Sequence, residues 1–89
     1  MNEERYAREI GDKFIQLRGR GFDLSPLDYQ LIDDWFKRGV PVFIPLNALA
    51  GAEEYRLRKP ELRVRGLSYI SEEVDASFAE WLEGRVGAQ

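Results

Sequence analysis

Apolar residues along the chain fall into four clusters, and three of them repeat at intervals of three and four. Tyr6, Ile10, Phe14 and Leu17 are spaced four, four and three apart, with Ala7 and Ile15 beside them. That spacing predicts an amphipathic helix over about 3–18, with acids early and Arg18 late, as the helix dipole prefers. Gly11 inside it costs roughly 1 kcal/mol relative to Ala and marks a place for a kink. The Arg18-Gly19-Arg20-Gly21 run reads as a helix cap and turn, with Phe22 and Leu24 pinning the connection to the core.

The second cluster is the best-defined. Ser25-Pro26-Leu27-Asp28 is a helix start: the serine hydroxyl caps an unpartnered amide, proline gives up an N–H that had no partner, and Asp28 sits at the positive end of the dipole. Leu27, Leu31, Ile32, Trp35 and Phe36 then form one stripe, with Asp33, Asp34, Lys37 and Arg38 largely outside it. Gly39 and Pro41 stop the helix, which is expected at about 26–38.

Val40 to Leu46 is ambiguous between strand and helix, because four β-favouring residues are interrupted by two prolines and no partner strand is in sight. A helix from Pro41 or Pro45 to about 57 fits better, and its apolar character on all sides makes it the expected most-buried element. Leu67, Ile70, Val74, Phe78, Trp81 and Leu82 predict a closing helix at about 68–83, capped by Ser68 or Ser71 and ended by Gly84. Residues 84–89 are expected to fray. The fold class is therefore all-α, a single domain over 1–89 built as a bundle of four helices.

Composition removes whole classes of chemistry. The chain has no cysteine and no histidine, so disulfides, thiolate metal sites and the commonest general base are absent, and only carboxylates remain as candidate ligands. Asp33-Asp34 and Glu72-Glu73 are neighbours that diverge on a helix and read as solvated faces. Asp75 with Glu72 and Glu73 could hold a cation only if another segment supplied ligands. No phosphate-cradling glycine loop is present. No catalytic residue, metal or cofactor is expected. No apolar run is long enough to span a bilayer and the acidic start is unlike a signal peptide, so cytoplasmic residence is the default expectation.

Net charge is −3, but its distribution is uneven. Arg56, Arg58, Lys59, Arg63 and Arg65 face only Glu61, whereas Glu72, Glu73, Asp75, Glu80 and Glu83 follow with no cation among them. Such an asymmetry makes a binding face, or two patches that satisfy each other. Guanidinium groups suit phosphate, and Tyr55 and Tyr69 flank the stretch where they could stack on bases. These seven residues are the candidate nucleic-acid contacts. An alternative is a protein-interaction or self-assembly module, with a homo-oligomer or a protein partner held by Trp81, Glu73 and Glu80 on the acidic closing helix. The tryptophans Trp35 and Trp81 otherwise read as core residues.

The order Leu-Ser-Pro-Leu-Asp, apolar stripe, Trp35, Gly-Val-Pro, apolar helix, basic link, Tyr69-Ile70 and a helix ending in Trp81 resembles the helical domain of DnaD-type primosome proteins, over Leu24 to Leu82. The matching positions are Ser25, Pro26, Ile32, Trp35, Tyr69, Ile70 and Trp81. The resemblance implies a non-catalytic module that binds DNA and associates with the helicase-loading machinery.

Overall fold

The computed structural model describes residues 1–19, 23–61 and 63–87. Among the described residues four α-helices make up the bundle: α1 (Glu3–Arg18), α2 (Pro26–Lys37), α3 (Phe43–Arg58) and α4 (Ser71–Gly87). A 3₁₀ turn, Leu67–Ile70, leads directly into α4. There is no strand among the described residues. The expected roles of Arg20, Gly21 and Phe22, and the expected fraying at 88–89, fall outside the described residues.

Caps explain where the helices begin and end. The Asn2 side chain accepts from the Arg5 amide at 2.8 Å to open α1, and Gly19, at φ +96°, closes it by donating its N–H to the Ile15 carbonyl at 2.7 Å. α1 continues through Gly11 without interruption. The glycine lets Leu24 cross closely, since a Cβ there would lie 3.0 Å from a Leu24 methyl carbon. At the end of α2, Gly39 takes φ +80° and donates to the Phe36 carbonyl (3.1 Å), while Val40 donates to that of Trp35 (2.9 Å). This pair of bonds reverses the chain and buries Val40 with Trp35.

The ambiguous 40–46 stretch is helical from Phe43 onward, between the two expected starts at Pro41 and Pro45. Pro45 is the third residue of α3, where a backbone N–H has no partner within the helix, so its absence costs nothing. Two expectations about burial are corrected. The apolar residues of α3 do not make it the most buried helix: Phe43, Tyr55 and Leu57 are exposed, and α1 buries as many residues as α3. The stripe of α2 is rotated, with Leu27 more than half exposed and Asp28, Ile32 and Trp35 turned inward. Gly84 does not end α4, which runs to Gly87. A glycine costs a helix about 1 kcal/mol without stopping it, and the Arg85 guanidinium lies 4.7 Å over the Trp81 ring across that turn.

Among the described residues, Asp28 is the one charged residue in the core, 1% exposed. Ser25 Oγ accepts from the Asp28 amide (3.2 Å), and Asp28 Oδ2 accepts in return from the Ser25 amide (2.8 Å). Its other oxygen, Oδ1, accepts from the Leu67 N–H at 2.8 Å. Gly66, at the N-cap of the 3₁₀ turn, has no side chain to cap it; the α2 carboxylate does so across the fold. The remaining core is apolar, with Ile10, Phe14, Ile32, Trp35, Leu49, Leu67 and Val74 essentially inaccessible. α1 packs on α2 and α3, α4 packs on α3, and the 3₁₀ turn touches α2, α3 and α4.

Tyr6 closes the other end of the core. Its ring meets Phe36 edge-on at 5.2 Å, and its hydroxyl donates to the Val40 carbonyl at 2.8 Å. Burial pushes the phenol up to about 12, with the Arg38 charge acting weakly against the rise. Because the folded pKa lies above the unfolded value, this stabilisation is complete below about pH 10 and is lost as pH rises through 12. Tyr6→Phe leaves the Val40 carbonyl unpartnered and should cost about 1–2 kcal/mol at neutral pH. Denaturant melts from pH 8 to 12 should also show a shallower alkaline loss in the variant than in the parent.

Candidate nucleic-acid interface

The candidate site begins at the C-terminal end of α1, where the last carbonyls have no intrahelical partners. Arg56, on α3, donates Nη1 to the Leu17 carbonyl. Arg18, the last residue of α1, lies 5.6 Å over the Phe14 ring and donates Nη1 to the Arg65 carbonyl at 2.8 Å. The first bond ties α3 to the end of α1, and the second holds the strap of residues 63–65 against α1. Val64 is buried on the strap while Arg63 and Arg65 are exposed. An alternation too short to form a strand thus sends one side chain into the core and two arginines out on the same side.

Arg18, Arg56, Arg63 and Arg65, with Val64, line one open cleft of about 450 Å³. A second cleft of about 370 Å³ shares Arg56 and adds Gln16, Leu17, Glu53, Leu57 and Pro60. Four guanidinium groups around one depression create a positive potential that suits phosphate or carboxylate oxygens.

The other predicted contacts are placed differently. Arg58 and Lys59 are exposed and line neither cleft. Tyr55 and Tyr69, both a little over 40% exposed, meet in a separate depression of about 380 Å³ with Gly51, Ala52 and Glu73. Glu73, read from sequence as a partner contact, therefore lies beside the tyrosines, where its carboxylate opposes a phosphate while leaving ring stacking open. Arg18 was legible in the sequence only as a dipole partner of α1; nothing local to it signals the Arg65 carbonyl 47 residues away.

Among the described residues, no ion pair joins the 56–65 cations to α4. The acidic helix is held instead by Arg38, which bonds Asp34 (3.0 Å) and Asp75 (3.1 Å) and sits 5.8 Å over the Phe78 ring. Its carboxylate partners raise the Arg38 pKa above its usual value. Asp75 is thus engaged by a cation of the protein. Trp81 is half-buried and stacks on Phe78 at 5.9 Å, whereas Glu80 is exposed. No group of three or more acids is placed to hold a metal ion among the described residues, and no described helix is long and apolar enough to cross a membrane.

No family model matches the chain, and no curated protein or solved structure matches it either.

If the Arg18 bond fixes the strap, Arg18→Ala should free it locally. Trypsin should then cut after Arg63 or Arg65 roughly three to ten times faster under native conditions, the size expected for losing one exposed hydrogen bond of about 0.7–1.4 kcal/mol. Time-resolved mass spectrometry of the digest reads this directly.

Proposed function

We propose that this chain is a non-enzymatic accessory module of DNA replication or repair that contacts nucleic acid through its basic 56–65 segment. The observation that carries the proposal is the convergence of Arg56, Arg63 and Arg65 with Arg18 around one cleft, with no α4 carboxylate paired to the segment among the described residues. Arg63 and Arg65 are the phosphate contacts, because both are exposed on a strap whose position is fixed by Val64. Arg56 supports the cleft from below while its Nη1 holds α1. Arg58 and Lys59 extend the positive field beyond the cleft. Tyr55 and Tyr69 offer ring faces to an unstacked base on the adjoining surface. The replication setting comes from the resemblance to DnaD-type helical domains alone.

The chemistry required is recognition, not bond cleavage. The sequence supplies no histidine or cysteine, and the cleft is lined by guanidinium groups that cannot act as general bases at neutral pH. Arg63→Ala/Arg65→Ala should weaken binding to labelled single-stranded and duplex DNA. It should also reduce the slope of log affinity against log salt by roughly 1.4 to 1.8 if both arginines meet phosphates. Fluorescence anisotropy at two salt concentrations measures both quantities. An unchanged affinity and slope would remove the segment from the interface.

A further inference from the structure

Two surfaces of opposite charge are left without ion-pair partners among the described residues. One carries Arg63 and Arg65 at the arginine cleft, with Arg58 and Lys59 exposed outside it; the other carries Glu72, Glu73, Glu80 and Glu83. Patches that could have neutralised each other within one molecule do not do so. We infer that they do so between molecules: the acidic outer face of α4 docks at the arginine cleft of a second copy of this chain.

The geometry of α4 supports a docking face. At about 100° per residue, its four glutamates fall within roughly one 100° sector. Val74, Phe78 and Trp81, which pack toward the body of the protein, lie on the opposite side. Past Val74 no described side chain of the helix is fully buried, so its outer face is open along most of its length. Glu80 and Glu83 are one turn apart, with Cβ atoms separated by about 5–6 Å. Arg63 and Arg65 line the same cleft, and Cα atoms two residues apart are at most roughly 6.6 Å from each other. Two carboxylates and two guanidinium groups thus match in spacing and sign. Beside these surfaces stand two exposed leucines: Leu57, 80% exposed, in the adjoining cleft that shares Arg56, and Leu82, 43% exposed, on the flank of α4 outside the glutamate sector.

The two surfaces differ, so a single contact leaves one of each kind open. Association of this type is head-to-tail and extends beyond a dimer unless it closes into a ring. Solvent-exposed charges carry it, so it is weak and salt-sensitive. The inference goes beyond the nucleic-acid role and does not depend on it, although a nucleic acid seated at Arg63 and Arg65 displaces the docked helix.

Sedimentation velocity of the full chain over a concentration series tests it. At about 50 mM salt the average mass should rise with concentration past that of a dimer, and at about 500 mM the association constant should fall on the order of tenfold or more. Glu80→Lys/Glu83→Lys and Arg63→Glu/Arg65→Glu should each be monomeric alone, with helical circular dichroism intact. Their equimolar mixture should recover salt-sensitive association, because each reversed surface then meets a complementary one. If a reversal loses its helical signal, Glu80→Gln/Glu83→Gln and Arg63→Gln/Arg65→Gln test the loss of association without the added charge. A wild-type chain that stays monomeric at low salt overturns the inference, as does association that survives either reversal or a mixture that remains monomeric. A chain that binds DNA while monomeric overturns self-docking alone and leaves the nucleic-acid role standing.

Discussion

A carboxylate removed from water is costly unless its oxygens are bonded, and the Asp28 carboxylate, 1% exposed, uses both of its own on backbone amides. One amide belongs to the start of α2 and the other to the start of the 3₁₀ turn that leads into α4. Both are positive ends of helical segments, so the charge sits where the backbone dipoles favour it. The bond to Leu67 spans 39 residues and joins the first third of the chain to its last third. Gly66 accommodates the approach: a Cβ there would stand 3.1 Å from Asp28 Oδ1. The register of everything from the strap onward follows from this junction.

The arginine cleft inherits its shape from that register. With Leu67 held at Asp28, Val64 turns into the core and Arg63 and Arg65 turn out. Arg18 then bonds the strap, and Arg56 bonds the end of α1. The cleft is therefore assembled from three separate parts of the chain, and its arginines divide their work between holding backbone and facing solvent. The acidic helix is anchored on a different side, through Arg38 and Asp75. That separation leaves both charged surfaces available to partners.

Helix positions were legible from sequence because their signals are local. Ser25-Pro26, Gly39 and the three- and four-residue spacing of Tyr6 to Leu17 act within one or two turns. Burial was less legible where the deciding partner is distant. Asp28 reads as a dipole partner until the Leu67 amide is placed beside it; that contact turns the α2 stripe and exposes Leu27. Gly84 reads as a stop because glycine often ends helices, but it keeps a helical conformation and Arg85 spans it to Trp81. At the candidate site, the basic segment was visible as a charge cluster, yet its division into cleft-lining and outlying cations depends on the strap. The pairing of Tyr55 and Tyr69 with Glu73 likewise arises from the packing of α3 against the 3₁₀ turn and α4.

The Leu67 amide is the most direct probe of this account. As the first residue of a 3₁₀ turn it has no backbone acceptor within the turn, so its protection from solvent exchange depends on Asp28. Native-state hydrogen exchange followed by nuclear magnetic resonance should place it with the core amides of α1 and α3, slowed by at least about a thousandfold. Exchange at the rate of a freely solvated amide, while Ile10 and Leu49 remain protected, would contradict the claim that the buried carboxylate sets the position of the strap and the cleft.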